Sequence, residues 1–183
     1  MKVLIFSHEF PPQIGGAGVV AVEYATCLSV AGHDVTVLTR LRKNASYPLV
    51  YKILQVKTLK KLWFFSYWKA VDFDSFDLII LNDVGAAYTA GLFFSRKIFS
   101  KSIMLLHGSE PETIFLKPNL FRQCSFFKNV YKRTLNSVSR VVAVSHFMKK
   151  KFLKYTKLDS LSDKTIVIHN FINHEVFYRK PCN

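Results

Sequence analysis

The chain has 183 residues, 50% of them hydrophobic, and 26 Lys and Arg against 12 Asp and Glu give it a formal net charge of +14. That length and apolar content supply one sizeable α/β core, so one domain is the economical reading, and a field of this sign attracts phosphates or an anionic surface. The cysteines, Cys27, Cys124 and Cys182, are widely spaced with no CxxC or His/Cys cluster, which argues against a disulfide framework and a zinc site and suits a reducing cytoplasm; the Met1 to Phe6 start is too short for a signal peptide, and no apolar run approaches the ~18 residues of a spanning helix.

In chain order, the apolar run Lys2 to Phe6 predicts a first strand, ending in Ser7-His8-Glu9. A loop with two prolines and three glycines, Glu9 to Gly18, leads into a helix over Gly18 to Ala31, and Gly32-His33-Asp34 reads as a helix stop followed by a strand over Asp34 to Leu38. Between Asp34 and Asp72 lie eight bases and no carboxylate. This stretch holds a strand over Val50 to Leu54 and then Leu59 to Lys69, where large aromatics alternate with bases. Such a composition suits a helix on an anionic membrane, with Lys60, Lys61, Trp63, Trp68 and Lys69 at the surface, and equally a helix whose rings are core.

Asp72-Phe73-Asp74 reads as a helix-to-strand turn before the strand Leu78 to Leu81, which ends in Asn82-Asp83. A helix over Val84 to Phe99 precedes the strand Ile103 to Leu106, ending in His107-Gly108-Ser109-Glu110. Between Glu112 and Asp159 there are eleven bases and no carboxylate, and Arg122 and Lys128 there extend the membrane reading. A helix over Asn119 to Val138, a strand over Val141 to Val144, a helix opening at Ser145 and running to Tyr155, and a strand over Thr165 to Ile168 before His169-Asn170 complete the series.

Short β-branched runs with room for a helix between them predict a single Rossmann-like, doubly wound, mainly parallel sheet. In such a sheet the carboxyl ends of the strands share one edge, so the polar clusters that follow them converge on one cleft. The glycine loop can bring backbone N–H groups and a helix N-terminus up to a phosphate. Gly16-Ala17-Gly18-Val19-Val20-Ala21 also fits the dinucleotide fingerprint G-x-G-x-x-A, but eight residues separate the strand from Gly15-Gly16, and Thr39-Arg40 stands where that fingerprint wants an acid. No Gly-Lys-Ser/Thr follows, which excludes a P-loop.

Several motifs carry a resemblance. Val3-Leu4-Ile5-Phe6 with Phe10-Pro11-Pro12, Gly15-Gly16 and Gly32 to Thr39, then His107-Gly108, Val144-Ser145 with Lys149, and Val167-Ile168-His169-Asn170 with Phe177 resemble the N-terminal domain of the retaining glycosyltransferases of family 4. The resemblance implies the first half of a GT-B fold, with residues 1–172 as the acceptor-side domain and 173–183 starting a linker. It implies Gly15 and Gly16 against the donor diphosphate, His107 as the catalytic-site histidine, able to donate a hydrogen bond to a sugar hydroxyl, and Asn170 at the hinge, while the strand-end clusters put Asn82, Glu110 and Ser145 in the cleft. Phe171 departs from the family's glycine, and the paired glutamates of its second domain, spaced E-x7-E, have no counterpart.

The expected function is the acceptor-side half of a nucleotide-sugar-dependent glycosyltransferase making surface glycan or lipid-linked saccharide, with no cofactor, no metal and little activity alone. Its partners would be a nucleotide-sugar donor, a glycan or lipid-linked acceptor, an anionic membrane surface at the cytoplasmic face and a donor-binding domain in the same chain or a separate subunit. The alternative is a non-catalytic nucleotide- or nucleic-acid-binding module. Nucleic acid is motivated by charge alone, since no RNA- or DNA-binding motif is present.

Overall fold

The computed structural model describes residues 1–12, 15–42, 50–60, 62–108, 110–116 and 126–170. Seven strands, β1 (Lys2–Phe6), β2 (Asp34–Arg40), β3 (Lys52–Val56), β4 (Leu78–Leu81), β5 (Ser102–Leu106), β6 (Arg140–Ala143) and β7 (Thr165–Val167), form one sheet in the order β3-β2-β1-β4-β5-β6-β7. Every neighbouring pair among them is parallel. The described helices are α1 (Gly16–Val30), α2 (Trp63–Ala70), α3 (Val84–Phe93), α4 (Arg96–Ser100), α5 (Phe127–Ser137) and α6 (His146–Thr156), with a π-helical segment at Pro111–Leu116 and 3-10 turns at Phe73–Ser75 and Asp159–Leu161.

The strand order reverses at β1. Right-handed crossovers therefore put α1, which leads leftward to β2, on one face of the sheet, and α2 to α6, which lead rightward, on the other. Side-chain alternation serves both faces: Leu4 and Phe6 of β1 join the larger core with Ile79, Leu81, Met104 and Leu106, while Val3 and Ile5 join the α1-side core with Ile80 and Leu105. Burial on both faces is why these strands read as unbroken apolar runs.

Several boundaries differ from expectation, most by one or two residues. The third strand starts at Lys52, not Val50, which is exposed. The helix expected over Val84 to Phe99 is two helices, because Phe94 is extended and Ser95 caps α4, its hydroxyl accepting from the Ile98 N–H at 3.3 Å. The break turns the Phe94 ring into the core, 4.7 Å from Phe73. Phe126 is left-handed at φ 51°, so the helix before β6 starts at Phe127; its expected start at Asn119 lies outside the described residues. Gly91 sets the approach of α3 to α5: a Cβ there would meet the Val130 carbonyl oxygen at 2.5 Å.

The tryptophans of α2 pack toward the sheet. Trp68 stacks between Phe73, at 5.7 Å and 10°, and Phe93, at 5.4 Å and 15°, while Trp63 packs on His8 at 5.1 Å and Tyr88 at 6.0 Å. Both rings are partly buried and pack against the core that seats α2 on the sheet. Lys60, Lys69 and Lys128 are exposed, as are Leu59, Leu62 and Phe65; Lys61 and Arg122 lie outside the described residues, as do 173–183 and Phe171. No described helix is long and apolar enough to cross a membrane.

Candidate functional site

The reversal at β1 opens a crevice between the carboxyl ends of β1 and β4, and β5 extends it. A cavity of about 450 Å³ occupies this place. His8 and Glu9 line it from the end of β1, Gly16 and Ala17 from the start of α1, and Asp83, Val84 and Gly85 from β4 and α3. His107, Gly108 and Glu110 line it after β5, with Thr113 from the π-helical segment. No Lys or Arg is among these residues.

A buried framework holds the rim. Asn82 Nδ2 donates to Ser7 Oγ at 2.8 Å and to the Ala17 carbonyl at 2.9 Å, joining β1, α1 and β4. Asp83 accepts from the Glu9 N–H at 2.8 Å through one carboxylate oxygen and from the Ala86 N–H at 2.8 Å through the other, so one carboxylate caps α3 and fixes the loop after β1. Glu110, 4% exposed, accepts from the N–H groups of His107 at 2.8 Å and Gly108 at 2.7 Å. Asn82 is therefore a brace beneath the cleft and does not line the cavity, whereas Glu110 both lines it and folds the β5 loop.

His107 lines the cavity, and its hydrogen-bonding polarity there is opposite to the expected donor. Its Nε2 lies 2.7 Å from the Asn82 carbonyl oxygen, and a carbonyl only accepts, so Nε2 carries the proton. Nδ1 has no partner among the described residues, so in this tautomer it offers the cleft a lone pair, not the expected donor. His8 sits across the cavity, its Nδ1 2.9 Å from the Tyr67 hydroxyl. Burial pushes the His8 imidazole below its ordinary range, against the pull of the Asp83 charge, and pushes the Tyr67 phenol up.

The glycine loop holds a feature that the motifs did not disclose. The first turn of α1 has Gly15 at its N-cap and no side-chain cap from that residue; Glu9 supplies the acceptor instead, its Oε1 taking the Gly18 N–H at 3.2 Å. A Cβ on Gly15 would fall 1.8 Å from that oxygen, so Gly15 leaves room for the Glu9 carboxylate and does not line the cavity. Gly16 faces the cavity, and a Cβ there meets nothing within 4 Å. A helix start without Ser, Thr, Asp or Asn was the signal that another acceptor was needed.

Ser145 and Asn170 stand apart from this cleft. Ser145 caps α6, accepting from the Met148 N–H at 3.0 Å, and Asn170 adjoins α1 beside Val19, Val20, Glu23 and Tyr24. Another residue missed from sequence is Lys151, which pairs with Glu112 and donates to the Gly108 carbonyl at 3.3 Å, tying α6 to the β5 loop. Among the described residues no group of three His, Cys, Asp or Glu is placed to hold a metal.

The profile of Glycosyltransferase Family 4 matches residues 14–176. Among solved structures, WaaG, a glycosyltransferase involved in lipopolysaccharide biosynthesis, superposes with a TM-score of 0.64 at 12% identity, over 98% of this chain and 48% of that one. Anabaena HepE in complex with UDP and glucose gives 0.64 at 15% identity, over 99% and 47%. At these identities the likeness is one of fold, and the chain spans about half the length of these structures. No curated protein sequence matches the chain.

Proposed function

The chain belongs to glycosyltransferase family 4, and from that premise we propose that it forms the acceptor-side half of a retaining, nucleotide-sugar-dependent glycosyltransferase in surface glycan or lipid-linked saccharide synthesis. The observation that carries the reading is the cavity at the β1/β4 switch point, where Gly16 at the start of α1 and the His107 imidazole face one space. A diphosphate suits the first, since N-terminal amides and the helix dipole favour an anion; a sugar hydroxyl suits the second, as donor to Nδ1. HepE, of like fold, was crystallised with UDP and glucose. In this reading a donor-binding domain, in the same polypeptide or as a separate subunit, closes the cleft, and the chain alone transfers little sugar.

The protein would work at the cytoplasmic face of a membrane. Leu59, Lys60, Leu62, Phe65 and Lys69 support this, being exposed around α2, with Lys69 Nζ 4.8 Å over the Phe65 ring.

The test titrates the isotope-labelled chain with millimolar UDP-glucose and follows backbone amides, beside a polarisation titration with a dye-labelled oligonucleotide. Shifts at Gly16, Ala17, Gly85 and Gly108 are expected. Salt-dependent micromolar oligonucleotide binding with these amides unmoved would overturn the proposal in favour of a nucleic-acid-binding module.

A further inference from the structure

We infer that His8 is a second ligand-contacting imidazole in this cleft, held by Tyr67 as the hydrogen-bond donor that complements the acceptor of His107, and that the space between them takes an uncharged, hydroxylated ring. The inference rests on the sugar-transfer reading above and names which part of the ligand lies where.

The argument starts in the core. Tyr67 is fully buried, and among the described residues its hydroxyl has one hydrogen-bond partner, His8 Nδ1 at 2.9 Å. A buried O–H left without an acceptor is costly, so the phenol donates to Nδ1. With Nδ1 accepting, the neutral ring carries its proton on Nε2. The ring is also gripped by aromatics, with Trp63 at 5.1 Å and Tyr67 at 5.8 Å, both from α2. The aromatic helix that sequence alone could have assigned to a membrane thus fixes the orientation and tautomer of a cleft histidine.

On the other side of the cavity, the Asn82 carbonyl takes the Nε2 proton of His107 and leaves Nδ1 as acceptor. The two rings come from the ends of β1 and β5, one an N–H donor and the other a lone pair. Such a couple matches a hydroxyl-bearing ring, because each hydroxyl gives one hydrogen and accepts another. It suits a phosphate poorly. Among the described residues no Lys or Arg lines the cavity, and its three carboxylates, Glu9, Asp83 and Glu110, all accept backbone N–H groups. The phosphate-compatible end is at Gly16, so one ligand would lie with its charged part at α1 and its ring between the imidazoles.

The experiment is two-bond imidazole ¹⁵N–¹H correlation on the labelled 183-residue chain near pH 7.5. Both His8 and His107 are expected as Nε2–H tautomers. In Tyr67→Phe, His8 loses its single tautomer and becomes a mixture while His107 stays as it was, a change that mere loosening of the core would not confine to one ring. Glucose, as the probe, should shift the His8 Nε2 and His107 Nδ1 resonances together, and inorganic pyrophosphate should move the Gly16 and Gly18 amides alone. His8→Phe should weaken glucose binding about fivefold, the worth of one neutral hydrogen bond, with the amide spectrum otherwise kept. An Nδ1–H tautomer at His8, or glucose shifts at His107 without His8, would overturn the inference while the transferase reading stands. UDP-glucose leaving Gly16 and both rings unmoved would overturn the transferase reading itself, and this inference with it.

Discussion

Replacing Glu9 by Ala should both destabilise the chain and strengthen its response to an anion, and the two effects share one cause. Glu9 Oε1 accepts the Gly18 N–H at 3.2 Å in the first turn of α1, where Gly15 offers no cap of its own. Loss of a capping acceptor costs about 1 kcal/mol, and loss of a carboxylate at a helix N-terminus adds roughly 0.3–1 kcal/mol. For a chain of this size each kcal/mol moves Tm by roughly 2–4 °C, so Glu9→Ala should melt about 3–8 °C lower. A diphosphate reaching the same amides in the wild type must first displace the carboxylate. Without that competitor, pyrophosphate should bind about five- to tenfold more tightly, and its protection in a thermal melt should grow accordingly. Glu9→Gln separates the contributions: the amide oxygen still caps, so the melt falls less, while loss of the charge still sharpens the anion response. The assay is a thermal scan with and without pyrophosphate at constant ionic strength. An unchanged Tm in Glu9→Ala, together with an unchanged pyrophosphate response, would refute the account of the loop.

Gly91→Ala places a methyl 2.5 Å from the Val130 carbonyl oxygen and 2.6 Å from Thr134 Oγ1; denaturant titration should show about 1–3 kcal/mol lost by overpacking, and a neutral result would mean that α3 and α5 separate freely. Trp68→Ala should cost about 3–5 kcal/mol, whereas Leu62→Ser, on the exposed side of the same region, should fall within ~0.5 kcal/mol; equal small effects would return Trp68 to the surface. His8 has its folded-state pKa lowered by burial, so between that value and about 6.5 the unfolded chain binds more protons and stability rises with pH. The contribution is present above about pH 6.5 and is lost as pH falls through the folded value; urea midpoints at pH 7.5 and 5.5 should differ less in His8→Phe than in the wild type, and an identical difference would show that His8 is not the titrating group.

What the sequence disclosed, and what it withheld, follows from how each feature is encoded. The central strands were legible because a strand buried on both faces needs an unbroken apolar run, as in Val3 to Phe6 and Leu78 to Leu81. The cleft was legible as a place, since polar residues ending β1, β4 and β5 must share an edge once the sheet is parallel. Individual roles were not, because one polar residue after a strand serves equally as cap, brace or ligand: Ser145 caps α6, Asn82 braces the floor, and only position in space separates them from His107. Trp63 and Trp68 were ambiguous for a similar reason, as a ring between lysines has one composition whether it meets lipid or Phe93.

Charge was the least transferable clue. The whole chain carries +14, yet the residues lining the cavity contribute three carboxylates and no Lys or Arg. Asp83 and Glu110 each accept two backbone N–H groups, so both carboxylates serve the fold of the rim. Arg40 and Arg42 bear electrostatically on His8, so the basic field reaches this cavity although no base is among its lining residues. Selection within the cavity falls to short-range donors and acceptors, the Gly16 end of α1 and the two imidazoles, whose geometry no count of charges along the chain contains.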